Sequence, residues 1–271
     1  MRKVYLTCLG IISAGVIYAQ SYEGKIDYQK TQQPVAVVQL SCSKTTVEDG
    51  LSEYMAKKGA KRTGVKSFTV FRSVRLNDAD TALTDLYFMM EPKSRQEKDI
   101  TLLTLLPVRK NQDILTRPAG DNTLVPAARS FLDSLAPALE AYSIRVHAGT
   151  QEALLQKARK KLNGLINDQV DLEKKIRGLE ADIDENKKEQ AKQASDLRSN
   201  IKSDDDAKKK NQRKLQKLMD SEGRLDKKLR NAKSDLDQNK IDQRQQQAEV
   251  DKQQQILDGI KARQGQPAAQ G

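Results

Sequence analysis

The side chains able to do chemistry are few in this chain, and they fall into no working spacing. Its one histidine, His147, supplies neither a metal cluster nor the base of a nucleophilic triad, since either needs partner groups at fixed distances. Of the two cysteines, Cys8 sits in an apolar run near the N-terminus, and Cys42 follows Gln39-Leu40-Ser41 at the end of an expected strand. Asp78, Asp80 and Asp85 are the carboxylates that could form a hydrolytic pair. Asp204, Asp205 and Asp206 could attract a divalent cation, but Lys208, Lys209 and Lys210 neutralise them. There is no glycine-rich phosphate loop, no cysteine pair at metal spacing and no Gly-x-Ser-x-Gly elbow. The expectation is a non-enzymatic protein with no metal and no cofactor.

What the sequence does build is length. Residues 150–262 contain no proline and are dense in Lys, Arg, Asp, Glu and Gln. A thin apolar seam runs through them: Leu155, Ala158, Leu162, Leu165, Leu172, Ile176, Leu179 and Ile183. Gaps of three and four alternate, the heptad pattern of a coiled coil. The seam turns polar at Asn186, Gln190 and Gln193, then resumes at Leu215, Leu218, Leu225, Leu229, Ala232 and Leu236. Asn239, Gln243, Gln246, Val250, Gln253, Leu257 and Ile260 complete it. Between the halves the register slips by four residues, a stutter.

Two arrangements satisfy this pattern. A continuous helix of roughly 110 residues would be about 165 Å long. A hairpin turning near Asp206 would set Gln169 against Gln246, Gln193 against Glu222 and Leu179 against Leu236. The continuous helix is favoured, because no Gly or Pro marks a bend and three Asp-to-Lys pairs at i,i+4 would each add about 0.2–0.5 kcal/mol. A continuous arm has nothing in its own chain to cover the stripe, so a second copy is expected, most simply as a dimer.

Residues 20–148 have a different character, with alternating apolar patterns and nearly all the aromatic residues. Strands are expected around Tyr22–Tyr28, at 34–40, and over 67–75, 83–91 and 99–108, with a possible further strand at 112–116. A helix capped by a threonine opens at Thr45, buries Val47, Leu51, Tyr54 and Met55, and closes at Gly59. A second helix over 124–142 buries Phe131, Leu132, Leu135 and Leu139, with Pro137 weakening its last turns. The fold class is thus an α+β N-terminal domain (strand, helix, antiparallel meander, helix) followed by a long α-helical coiled coil over 149–262 and a disordered tail over 263–271. In element order the domain resembles TATA-binding-protein-like and helix-grip folds, a likeness that implies nothing about activity.

The first residues, Met1-Arg2-Lys3 followed by a short apolar run to Tyr18-Ala19, read as a secretory signal peptide cleaved after Ala19. No later segment is expected to span a membrane. Export leaves Cys42 as the only thiol, so no internal disulfide framework is expected, and a buried thiol is the reading of that position. The net charge of +11 and pI near 9.5 then point to anionic envelope surfaces or acidic clients rather than nucleic acid. Three functions follow as expectations: an exported structural or interaction protein presenting its domain to an envelope partner, a periplasmic holdase, or a binder of a small hydrophobic ligand. The second rests on an architecture, a small β-containing body with long basic arms, that resembles the Skp-type chaperones and shares no motif with them.

Overall fold

The computed structural model describes residues 20–28, 31–65, 67–76, 82–110, 112, 121–199 and 205–264. The expected leader, the loop at 77–80, the possible strand after Gln112 and the tail from residue 265 lie outside them, as do Asp78, Asp80 and Asp204. The chain divides into two compact units, the first running to His147 and the second spanning Ala148–Lys261.

In the first unit, β1 (Tyr22–Tyr28), β2 (Thr31–Leu40), β3 (Arg62–Val65), β4 (Phe68–Val74), β5 (Thr84–Pro92) and β6 (Thr101–Arg109) form one antiparallel sheet in the order β1-β2-β6-β5-β4-β3. Helix α1 (Lys44–Lys57) follows β2, and helix α2 (Val125–Ser199) follows β6. The fold is α+β. Strand β2 explains why the sheet is buried on both faces. Ala36, Val38 and Leu40 point to one side, where Val47, Leu51 and Met55 of α1 and Phe131, Leu132, Leu135 and Leu139 of α2 cover them. Val35 and Val37 point to the other, with Leu106 and Val108. Gly50 lets the two helices approach closely, since a Cβ there would lie 3.0 Å from both Leu139 and Tyr142.

The second face has no helix on it among the described residues; it is enclosed by curvature. Tyr28 on β1 and Phe68 on β4 stand edge to face at 5.8 Å, although three strands separate them in the sheet. Phe68 makes a second edge contact with Tyr87 at 6.1 Å. Only a sheet curled through its natural twist can bring such distant strands together.

Three local expectations need correction. The cap of α1 is Ser43, whose hydroxyl accepts from the Thr46 N–H; the helix has already begun at Lys44. Strand β3, with the sequence Arg-Thr-Gly-Val, was not expected, being polar and only four residues long. In β4, strict alternation would put Val74 on the face of Phe68 and Val70, yet it packs with Phe71 in the helix-covered core. A bulge between Phe71 and Val74 re-phases the strand, with Ser73 at φ 55°. Gly59, at φ 75°, ends α1 as expected.

The expected break between a domain helix and an arm is absent. Helix α2 runs unbroken for 75 residues and contains both Pro137 and His147. Proline removes one backbone donor, but helix–sheet packing on both sides of it supplies far more than that bond.

Candidate functional site

The second unit is a pair of antiparallel helices, and it overturns the favoured continuous arm. The end of α2 packs along α3 (Asp205–Gln264), with partner numbers falling on one helix as they rise on the other. Gln151 donates to the Gln253 carbonyl at 3.0 Å, Gln246 to the Ala158 carbonyl at 3.1 Å, and Gln190 to Glu222 at 2.6 Å. From Ala148 to Ser199 the first arm is about 78 Å long at 1.5 Å per residue. The physical reason is burial: each half offers the other a leucine stripe, whereas an extended helix would leave both in water.

The fifteen Leu, Ile and Val residues of the seam lie as follows. Leu155, Ile176, Leu179, Ile183, Val250 and Leu257 are buried. Leu162, Leu165, Leu172, Leu215, Leu218, Leu225, Leu229, Leu236 and Ile260 are half-buried. One apolar cluster gathers Leu155, Ala158, Val250 and Leu257, with Leu162 and Ile260 against it. A second gathers Ile176, Leu179 and Ala232, flanked by Leu225, Leu229 and Leu236. The ground for expecting a second copy, that nothing else in the chain could cover the stripe, therefore does not hold.

A polar layer separates the two clusters. Asn239 donates to the Leu165 carbonyl at 3.1 Å, and Gln243 reaches the same carbonyl at 3.2 Å and Gln169 Oε1 at 2.8 Å. A helical carbonyl already accepts one backbone bond, and its second lone pair takes the amide from the facing helix. Such bonds can form only in one register. That register differs from the one expected: Gln169 faces Gln243 rather than Gln246, and Glu222 meets Gln190 rather than Gln193, an offset of about one helical turn. Lys233–Glu180 at 2.8 Å and Lys261–Glu152 at 2.7 Å bridge the helices at the exposed edge, where such pairs contribute little.

Of the chemical candidates, Asp85, Cys42, Asp205 and Asp206 lie among the described residues. Asp85 accepts the Ser73 N–H at 2.8 Å and pairs with Arg72 at 3.4 Å, so it holds the β4 bulge. Cys42 is a free, buried thiol; burial first, and then the charge of Glu140, push its pKa up to about 11, against a smaller lowering by Ser143. A thiol held so far from ionisation is a poor nucleophile. Asp205 and Asp206 occupy the first turn of α3, where carboxylates favour the positive end of the helix dipole. Among the described residues no group of three or more His, Cys, Asp or Glu could hold a metal ion. No helix there is long and apolar enough to cross a membrane. An open groove on the hairpin lies between Leu154, Lys157 and Lys161 on one side and Gln246, Glu249 and Gln253 on the other.

With this geometry in hand, comparison with known proteins adds nothing to it: no protein-family model, no curated protein and no solved structure matches the chain.

Proposed function

We propose that this chain is an exported, non-catalytic interaction protein whose working surface is the helical hairpin, an antiparallel coiled coil. The observation that carries the reading is the hairpin's investment in register. Asn239, Gln243 and Gln246 sit at seam positions where leucine would bind more tightly, and each spends its amide on a carbonyl or amide of the facing helix. Polar seam residues of this kind trade stability for a single alignment, and a single alignment matters when the outer faces must present a fixed pattern to something else. The leader-like N-terminus supports export to the cell envelope or beyond. Ile166 and Val170, one turn apart on α2 and both exposed, are apolar residues on those outer faces suited to self-association.

Photocrosslinking amino acids at Val170 and Ile241, both exposed, test the reading in producing cells. Adducts of defined mass that depend on position are expected. Uniform absence of adducts from both helices overturns the interaction role. Light scattering on the purified chain separates an adduct with a second copy from one with another protein.

A further inference from the structure

The positive charge of the hairpin is not spread along it. In residues 148–186 and 218–261, sixteen Lys and Arg face seventeen Asp and Glu, so that stretch is balanced. Between residues 187 and 217, the described residues carry ten cations and only four carboxylates. Lys202 and Asp204 cancel in the same interval. Antiparallel pairing brings these segments together: Lys214 lies 3.5 Å from Glu189, and Lys187 lies 3.8 Å from Glu222. Lys208 pairs within its own helix with Asp205 at 3.7 Å. The other seven cations are exposed and make no ion pair among the described residues. They are Lys188, Lys192 and Arg198 on α2, and Lys209, Lys210, Arg213 and Lys217 on α3.

Unpaired like charges packed onto two short helical segments repel one another, and a folded chain keeps them without cost only when an opposite charge is near for part of its working life. The composition says which kind. Eight of the ten cations are lysines, point charges that suit a fluid array of phosphates better than the bidentate geometry arginine provides. No aromatic residue occurs anywhere from Ala148 to Gln264, so the hairpin offers nothing on which a base could stack. Among the described residues between 187 and 217, no large apolar side chain is exposed enough to insert between acyl chains. These features describe adhesion by charge to a flat, multivalent phosphate surface.

We infer that the end of the hairpin where α2 stops and α3 starts docks on the headgroups of an anionic phospholipid bilayer. The inference rests on the reading of an exported interaction protein, whose envelope setting supplies such a surface. Each lysine close to an anionic leaflet contributes on the order of 1 kcal/mol, falling away within a Debye length. Seven cations without an ion pair among the described residues are thus ample for reversible attachment, and salt must release it.

Co-sedimentation of the chain from Gln20 onward with phosphatidylcholine vesicles, in which about a third of the lipid is replaced by phosphatidylglycerol, tests this directly. Binding is expected at low salt, with little at about 0.5 M salt or on phosphatidylcholine alone. Replacing Lys188, Lys192, Lys209 and Lys210 by Gln should weaken binding at least about tenfold, with helicity unchanged by circular dichroism. Replacing Lys174, Lys175, Lys227 and Lys228, four exposed lysines of the balanced stretch, should change it by less than about twofold. No vesicle binding by the parent chain overturns the proposal. So does equal loss in the two variants, and so does tighter binding to a DNA duplex than to the vesicles under the same salt. Defined vesicles contain no protein, so failure here leaves the crosslinking result of the interaction reading untouched.

Discussion

Asn239 donates its side-chain amide to the carbonyl of Leu165, 74 residues earlier in the chain, and thereby locks two helices at one axial position. Replacing Asn239 and Gln243 together by Leu should stabilise the hairpin, by about 1 kcal/mol or more, while loosening its alignment. Spin labels at the exposed positions Lys160 and Gln247 would report this. A single narrow distance is expected in the parent chain and a broadened distribution in the double variant. A distribution as narrow as the parent's would mean that the leucines alone set the register.

The hairpin buries its seam within one chain, so its stability should not depend on protein concentration. Leu179, buried beside Ile176 and Ala232, is the position to test. Leu179→Ala should cost about 2–3 kcal/mol. The midpoint of thermal unfolding should stay fixed over a hundred-fold dilution in both parent and variant, whereas a seam shared between two copies would lower it on dilution.

That intramolecular pairing is also where the sequence was least readable. The seam positions stand out from spacing alone, because the three–four alternation is a property of any helix packed along a partner. Which partner is a different question. Local terms at 204–210 favoured continuation by tenths of a kcal/mol per pair, but the long-range gain from covering two leucine stripes is larger and leaves no local mark. Asp205 and Asp206 carried a second meaning, as carboxylates at a helix start, which the pairing with lysines obscured. The register was missed by about a turn because periodicity repeats every turn; only the amide-to-carbonyl bonds distinguish one alignment from the next. In the first unit the strongly alternating strands and α1 could be placed from the sequence. Strand β3 could not, since its pairing with β4 comes from backbone bonds rather than from an apolar pattern. The bulge at Ser73 likewise depends on a carboxylate twelve residues away.

Asp85 gives that bulge a measurable energy. Its carboxylate satisfies the Ser73 N–H where the backbone is left-handed. Asp85→Ala should destabilise the domain by about 1–3 kcal/mol, as expected for losing a charged acceptor. Ser73→Gly should be neutral or slightly stabilising, because glycine adopts φ 55° without strain. Denaturant unfolding of both variants checks the pair, and equal losses would show that the bulge is held by something other than this contact.

The chain is also tied down where the expected leader ends. Ser21 is buried against α2, its N–H donating to Asp133 at 2.8 Å and its hydroxyl to the Arg129 carbonyl at 3.1 Å, while Arg129 returns a bond to the Ser21 carbonyl at 3.0 Å. Asp133→Ala removes the acceptor of a buried N–H and should cost about 1–3 kcal/mol. It should also free β1 first, so that limited proteolysis cuts near Tyr22 before the sheet unfolds. Simultaneous loss of β1 and the central strands would mean that the latch does not govern the N-terminal edge.

Glu140 and Cys42 form a titrating pair inside the first unit, and their directions agree. Burial raises the Glu140 pKa above its ordinary value, and the Glu140 charge adds to the burial that raises Cys42. For a carboxyl whose folded pKa lies above its unfolded one, the folded state holds the proton more tightly. Its contribution to stability is complete below the unfolded pKa and is lost as pH rises through the folded value. Glu140→Gln removes a charge that is unwelcome at neutral pH, so it should raise the melting temperature at pH 7 and confer no advantage in acid. The same substitution should lower the Cys42 pKa from about 11 and quicken its reaction with a thiol reagent, measured as rate against pH with the protein folded throughout. A gain in stability without any movement of the Cys42 profile would locate the effect in solvation of Glu140 alone, and would refute the charge coupling between the two side chains.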